Sequence, residues 1–110
     1  MPEADVEAFA APGRIEALFA TMRECIRGGT AGPARDLRLY MRPFDFDLAS
    51  IKIPIVMLHG EKDVNSPIAL ARRIAAEIPT SSLITFENDA HFSTLVNHTE
   101  PIAKQMLVKA

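Results

Sequence analysis

Residues 53–67 read IPIVMLHGEKDVNSP and predict a strand, a turn and a helix in immediate succession. Residues 55–58 form a short apolar run without polar alternation, which is typical of a strand that is covered on both faces. Ser66 suits the N-cap of the following helix and Pro67 its first position. We expect this helix to end near Ile78.

The stretch LITFENDAHF, residues 83–92, repeats the pattern. It predicts a second strand over about 82–86, followed by a last helix from residue 92 or 93 to about 108. Strand, helix, strand and helix in this order indicate a parallel pair joined by a right-handed crossover, and therefore an α/β fold. Because two parallel strands do not form a sheet that stands alone, the sequence predicts a short parallel edge of a larger sheet with flanking helices.

The chain before residue 48 is expected to be helical. Helices are predicted over about residues 2–10, 15–26 and 33–41, and Gly28-Gly29 ends the second of them. Residues 44–48 are expected to form an irregular, partly buried connection. We therefore divide the chain into a helical segment, residues 1–47, and an α/β unit, residues 48–110.

Composition excludes several classes of function. The chain has 110 residues, 48% of them hydrophobic and 24% charged, which is ordinary globular composition. Its net charge of −2, with no basic block, argues against nucleic acid and against an anionic membrane surface as partners. No apolar run is long enough to span a membrane. The single cysteine, Cys25, excludes an internal disulfide and favours a reducing, cytoplasmic compartment.

Two side chains that can exchange protons, a carboxylate and an imidazole, follow the predicted strands. Asp63 comes after the first strand and His91, 28 residues later, after the second. Since the carboxyl ends of adjacent parallel strands share one edge of a sheet, we expect the two side chains to lie within hydrogen-bonding reach. A carboxylate followed by an imidazole matches the last two members of a Ser…Asp…His catalytic order. The serine on a strand-to-helix elbow, which should precede both, is missing.

These residues resemble the C-terminal part of the α/β-hydrolase family. The resemblance covers residues 48–108, and more loosely residues 2–47, whose helices resemble the end of the lid that such enzymes insert before these strands. The chain departs from the family at Ala90, where the family usually has glycine, and it lacks the Gly-x-Ser-x-Gly elbow and the oxyanion-hole donors. The matching motifs are an apolar strand, His59-Gly60-Glu61-Lys62-Asp63, Pro67 with its helix, a second strand, His91-Phe92 and a closing helix.

The resemblance implies part of a serine hydrolase that acts on esters, amides or related acyl compounds. Asp63 would accept the Nδ1–H of His91, and His91 would serve as general base and then as general acid. No cofactor is implied, and the partner would be a small-molecule acyl substrate if the missing half were supplied. Without a nucleophile, the isolated chain is expected to be inactive. The apolar residues of the lid-like helices could shape an acyl pocket, although core packing explains them equally well: Phe9, Leu18, Phe19, Met22 and Leu39.

Each candidate also has a simpler interpretation. Asp63 could be a turn aspartate that bonds its own backbone, and His91 an exposed loop histidine beside Asp89. His59 is best explained as a packed turn residue, since an oxyanion loop should continue with glycine or proline. A metal site built from His59, Asp63 and His91 would lack a fourth ligand.

Three further features are interpreted as structural. Thr30 lies in Gly28-Gly29-Thr30-Ala31-Gly32, which matches Gly-x-(Ser/Thr)-x-Gly, but a helix precedes it where an elbow requires a strand. Cys25 is expected on the buried or half-buried side of its helix, in core or lid packing. The first turns of the last helix are expected to form a solvated face that includes Asn97, His98 and Glu100.

The competing functional class is a non-catalytic binding or structural α/β module. In either class, the strand at 55–58 leaves an unpaired backbone edge, which is a template for pairing with another chain. We therefore expect a homodimer or a higher oligomer.

Overall fold

The computed structural model of the chain describes residues 1–108. Five helices, two strands and one 3-10 turn follow each other along this part of the chain. In order they are α1 (Glu3–Phe9), α2 (Arg14–Ile26), α3 (Ala31–Tyr40), the 3-10 turn Leu48–Ser50, β1 (Ile55–Gly60), α4 (Ile68–Glu77), β2 (Ser81–Phe86) and α5 (Ser93–Val108).

The two strands pair in parallel, with α4 connecting them. The register runs from Ile55 opposite Ser81 to Gly60 opposite Phe86, so the two strands end level with each other. Helices α4 and α5 flank this pair. The predicted α/β arrangement, with a two-stranded parallel sheet and flanking helices, is confirmed. β1 extends two residues beyond the predicted apolar run and includes His59 and Gly60.

The chain forms two compact units. The first, which we call the α/β unit, comprises Met1–Ala8 and Leu48–Ala110, and the second, the helical unit, comprises Phe9–Asp47. The sequence prediction divides the chain into residues 1–47 and 48–110, which places the first eight residues in the helical segment. By contacts these eight residues group with the α/β unit.

The apolar core of the α/β unit is small. Its buried apolar residues are Ala8, Ala71, Ile78 and Ala90. The side chains of β1 before Gly60 are half-buried, so the expectation that this strand is covered on both faces is wrong for the described chain. The physical reason is the width of the sheet: two strands and two helices leave the flanks of the pair open to solvent.

The helical unit is built from α2 and α3, and neither helix contains a buried residue. Cys25 is exposed, which corrects the expectation that it is buried or half-buried. Phe44 and Phe46 contact each other, with ring centroids 5.4 Å apart. Both are nevertheless exposed, so the connection is less buried than predicted. Two helices cover only one side of each other, and most of their apolar stripe therefore stays accessible.

Two helices depart in detail from the sequence prediction. Pro67, and not Ser66, is the N-cap of α4, and no side chain bonds there. Helix α5 has non-helical dihedral angles at His98 and carries Pro101 inside its span. A proline ring clashes with the carbonyl four residues before it and removes one helical hydrogen bond, which accounts for the kink.

Candidate active site

Asp63 lies in the turn between β1 and α4, and its two carboxylate oxygens have different partners. Oδ1 accepts the backbone N–H groups of Asn65 at 2.8 Å and Ser66 at 2.9 Å. Oδ2 lies 2.9 Å from Nδ1 of His91. The turn interpretation and the pairing interpretation of Asp63 are thus compatible, because each uses one oxygen.

His91 lies in the turn between β2 and α5. Since β1 and β2 are parallel and end in register, the two turns leave the same edge of the sheet. The predicted hydrogen-bonding distance between Asp63 and His91 is confirmed. Asp89, the neighbouring carboxylate, bonds elsewhere, to Asn97 and His98.

The protonation of this pair follows from its surroundings. Burial acts to raise the pKa of the Asp63 carboxyl, but the hydrogen bonds from Ser66 N–H, His91 and Asn65 N–H lower it by more. The pKa of Asp63 therefore lies below its ordinary value of 3.8. An ionised carboxylate only accepts hydrogen bonds, so Nδ1 of His91 must carry the proton between them. In the neutral imidazole, the lone pair is then on Nε2, where it can accept a proton from another group.

Gly60, the last residue of β1, lies close to the turn that carries His91. A Cβ atom at this position would lie 2.5 Å from the Asp89 carbonyl oxygen, 2.5 Å from Thr94 Oγ1 and 2.6 Å from the Ala90 carbonyl oxygen. Backbone bonds join the same turns: Glu61 N–H donates to the Phe86 carbonyl, and Lys62 N–H to that of Asp89, each at 2.9 Å. A residue without a side chain at position 60 is what allows this approach.

The turn that carries His91 is held on both sides of the histidine. Ala90, fully buried, donates its N–H to Ser93 Oγ at 2.7 Å and accepts a bond from Thr94 Oγ1 at 2.6 Å. On the other side, Oδ1 of Asp5 in α1 accepts the N–H of Phe92, the N–H of Ser93 and the Ser93 hydroxyl. The conformation of the turn is thus fixed by hydrogen bonds to backbone and side chains.

His59, the penultimate residue of β1, also lies near Asp63. Its Nε2 is 2.7 Å from the Ser66 carbonyl, an acceptor, so Nε2 is the protonated nitrogen. The same nitrogen is 3.8 Å from Oδ2 of Asp63. His59 is therefore a packed residue at the strand end, as predicted, and it also borders the Asp63 carboxylate.

A second histidine–carboxylate pair lies beside the first. His98 Nε2 is 2.6 Å from Asp89 Oδ2, Asn97 Nδ2 donates to Asp89 Oδ1 at 2.8 Å, and the His98 ring stacks on Phe86 at 3.7 Å. The prediction of a solvated face is wrong for His98, which is half-buried. It holds for Asn97 and Glu100, which are both exposed, and Glu100 pairs with Lys104. Helix α5 is kinked at His98, the residue whose side chain contacts Asp89 and Phe86.

A cleft of about 420 Å³ contains the pair. The end of β1, the turns that follow β1 and β2, and helix α5 supply its walls, and apolar side chains lie beside the two histidines. Its lining residues are Leu58, His59, Gly60, Asp63, Ser66, His91, Thr94, Leu95 and Ile102. The cleft is large enough for a small organic ligand.

Thr30, the remaining sequence candidate for a nucleophile, belongs to the helical unit. Thr30 follows helix α2 and is the N-cap of α3, so no strand precedes it as an elbow requires. Over residues 1–108, no group of three or more His, Cys, Asp or Glu side chains could hold a metal ion. Within the same residues, no helix is long and apolar enough to cross a membrane.

Sequence reasoning missed two residues that shape the site, Asp5 and Gly60. In the sequence, Asp5 is one of two acids in the first turn of a helix, and no local signal links it to Ser93, 88 positions away. Gly60 did carry a signal, because a glycine directly after an apolar strand often marks a close backbone approach.

Comparison with known proteins gives one relationship. The chain is 40% identical over 74 residues to an AB hydrolase superfamily protein, YisY, of Bacillus subtilis (strain 168). The matched region is 67% of this chain but only 25% of the relative, so the chain spans about a quarter of that protein's length. No protein-family profile matches the chain, and no solved structure matches it. The identity to YisY supports a relationship between this chain and the α/β-hydrolase superfamily.

Proposed function

We propose that the chain is the C-terminal part of a serine-type α/β hydrolase and supplies the acid–base half of its catalytic triad. The observation that carries the proposal is the 2.9 Å contact between His91 Nδ1 and an Asp63 carboxylate whose pKa is lowered. The substrate class is esters, amides or related acyl compounds. The single cysteine, exposed and unpaired, suits a cytoplasmic location.

In this mechanism His91 moves the proton and Asp63 keeps the ring oriented. Nε2 of His91 takes the proton of a serine hydroxyl as that oxygen bonds to the acyl carbon. The proton then passes from Nε2 to the leaving alkoxide or amine as its bond to the acyl carbon breaks. In the second half, His91 takes a proton from water as the water oxygen bonds to the acyl carbon. It returns this proton to the serine oxygen as the bond between that oxygen and the acyl carbon breaks and the acid leaves. Asp63 stays ionised throughout and stabilises the imidazolium.

The serine and the oxyanion donors have to come from outside the residues described here. Thr30, the one hydroxyl in a matching glycine pattern, lies on a helix-to-helix connection of the helical unit. We therefore expect the 110-residue chain alone to show no hydrolysis of short-chain esters and no labelling by a fluorophosphonate probe.

A chimera tests the proposal directly. The matching segment of B. subtilis YisY is replaced by this chain, and hydrolysis of p-nitrophenyl acetate is compared with that of intact YisY. If the chimera hydrolyses the ester, Asp63→Asn and His91→Gln should each lower kcat by at least about 10³-fold. Asp36→Asn, which removes an exposed carboxylate of α3, is the matched control and should leave kcat unchanged.

Two outcomes of this experiment contradict the proposal. One is an active chimera in which Asp63→Asn and His91→Gln retain full activity. The other is labelling of the isolated chain by the probe that disappears in Thr30→Ala, which would assign the nucleophile to the glycine-rich connection.

We also propose that the chain associates with itself, as a homodimer or a higher oligomer. Within the described residues, β1 pairs with β2 alone, so its other edge has no strand beside it. Large apolar side chains of the same unit are exposed, among them Ile53 at 67%, Val64 at 69% and Leu95 at 61%. An unpaired edge together with exposed apolar groups favours association. The same features support the alternative function, a non-catalytic binding or structural module.

Size-exclusion chromatography with light scattering at micromolar concentration tests the association. The expected result is a particle of at least twice 12.1 kDa. Val56→Pro changes the backbone of β1, and Ile53→Lys places a charge among the exposed apolar side chains beside it. Both variants should lower the mass of the particle. A monomer of 12.1 kDa that unfolds cooperatively would contradict the association.

A further inference from the structure

We propose that Asp5 is a positioning residue for His91, so that a carboxylate near the start of the chain holds the candidate base in line with Asp63. The inference rests on the proposed function, in which His91 is the base. It extends that function by assigning a role to a residue of α1 that acts through the backbone carrying the histidine.

The side chain of Asp5 bonds to the two residues that follow His91. The residue is 1% exposed, and its Oδ1 accepts Phe92 N–H at 2.9 Å, Ser93 N–H at 2.8 Å and Ser93 Oγ–H at 2.9 Å. Phe92 is the residue that directly follows the histidine. A buried carboxylate with three donors from two consecutive residues fixes where that backbone lies.

Ser93 extends the hold to the residue before the histidine. Its hydroxyl donates to Asp5 and also accepts the N–H of Ala90 at 2.7 Å. Residues 90, 92 and 93 are therefore connected to one carboxylate oxygen, directly or through one hydroxyl. His91 is the residue that these bonds enclose.

The ring is only partly covered, and its main aromatic contact is with the next residue, Phe92, at 5.0 Å between ring centroids. The His91 side chain is 39% exposed, whereas that of Asp63 is 5% exposed. Since solvent borders one partner of the hydrogen bond, the direction of the imidazole depends on its backbone more than on neighbouring side chains. Loosening the turn should allow Nδ1 to leave Asp63, after which the ring would sample both neutral tautomers.

The test reads the His91 tautomer in the intact chain by long-range ¹H–¹⁵N correlation NMR, with His91→Gln used for assignment. The wild type should show the Nδ1–H tautomer. Asp5→Ala should lose this preference and give a mixture of both tautomers. Asp5→Asn should restore it, because the amide oxygen can accept the same donors.

Two control variants separate positioning from stability. Glu3→Gln neutralises an exposed acid in the same turn of α1 and should leave the tautomer unchanged. Ala8→Gly weakens α1 without touching the Asp5 bonds, and should lower the unfolding midpoint while His91 keeps its tautomer. A purely structural role of Asp5 would make Asp5→Ala behave like Ala8→Gly.

A folded Asp5→Ala chain with the wild-type His91 tautomer would overturn the inference. If Asp5→Ala does not fold, the His91 tautomer is measured in Ser93→Ala instead. This variant removes the hydroxyl bridge and leaves the two backbone donors. A partial loss of the Nδ1–H tautomer supports the inference, and an unchanged spectrum overturns it. Failure of the chimera to depend on His91 would refute the proposed function alone, since the tautomer is measured without catalysis.

Discussion

Different interactions stabilise the interior of the α/β unit and the interior of the helical unit. In the α/β unit the largest fully buried side chains are polar, namely Asp5 and Ser93, and they bond to each other. In the helical unit, α2 and α3 contain no buried residue, and apolar side chains such as Phe19 and Met22 are more than half exposed. One unit is organised by directed hydrogen bonds, and the other by a partial apolar contact.

This difference determines how each unit should respond to substitution. A buried polar group that loses its partner costs about 1–3 kcal/mol, because its desolvation is no longer offset. In the described residues, every buried side-chain nitrogen and oxygen has a partner. Exposed positions without such bonds usually change stability by less than about 0.5 kcal/mol. Substitutions at the strand ends should therefore lower the free energy of unfolding more than substitutions in α2 and α3.

The largest contrast is expected between two glycine-to-alanine substitutions. Gly60→Ala places a methyl group about 2.5 Å from backbone oxygens of the His91 turn, so the two turns must separate. The expected loss is about 3 kcal/mol. Gly32→Ala, within α3, meets nothing within 4 Å and should stabilise by up to about 1 kcal/mol through helix propensity. Urea unfolding followed by far-UV circular dichroism measures both.

Equal unfolding midpoints for the two glycine variants would contradict the expected difference between the two units. Such a result would mean that the turns at Gly60 can separate without cost, and that the close approach does not organise the site.

Acid should destabilise the α/β unit through Asp63. Its pKa is lower in the folded chain than the ordinary 3.8, so the ionised carboxylate stabilises the fold at neutral pH. This contribution is present above about pH 4 and is lost as the pH falls through the folded pKa. Asp63→Asn should be less stable than the wild type at neutral pH and should lose less stability on acidification.

Urea midpoints measured at neutral pH and below about pH 4 test the acid response. Asp36→Asn, an exposed carboxylate of the helical unit, serves as the control and should keep the acid loss of the wild type. If Asp63→Asn loses as much stability on acidification as the wild type, Asp63 is not the group that causes the loss.

The smallest effect is expected at Thr30. A threonine at an N-cap usually contributes about 1 kcal/mol through a side-chain bond to the helix, but Thr30 makes no such bond. Thr30→Ala should therefore change the unfolding free energy by less than about 0.5 kcal/mol. A loss of 1 kcal/mol or more would show that the cap forms in solution and that the helical unit has more polar organisation than described.

The sequence predicted the contact between Asp63 and His91 better than it predicted the burial of other side chains. Asp63 and His91 each follow an apolar strand, and the register of a parallel pair brings strand ends together whatever the neighbouring packing. Burial was predicted less well: Cys25 is exposed and His98 faces Asp89 and Phe86. A helical period gives the relative direction of side chains, but it does not tell which partner, if any, covers them.

Sequence alone determined the order of elements, the parallel pair and the candidate pair Asp63–His91, because these depend on local apolar runs, proline and glycine positions and the geometry of a strand–helix–strand crossover. Tertiary structure alone decided that Asp5 bonds the His91 turn from 88 residues away, and that Gly60 must lack a side chain where the two turns meet. These contacts join residues with no periodic relation in the chain. They arise only once the backbone has folded back on itself and each buried donor has to find an acceptor.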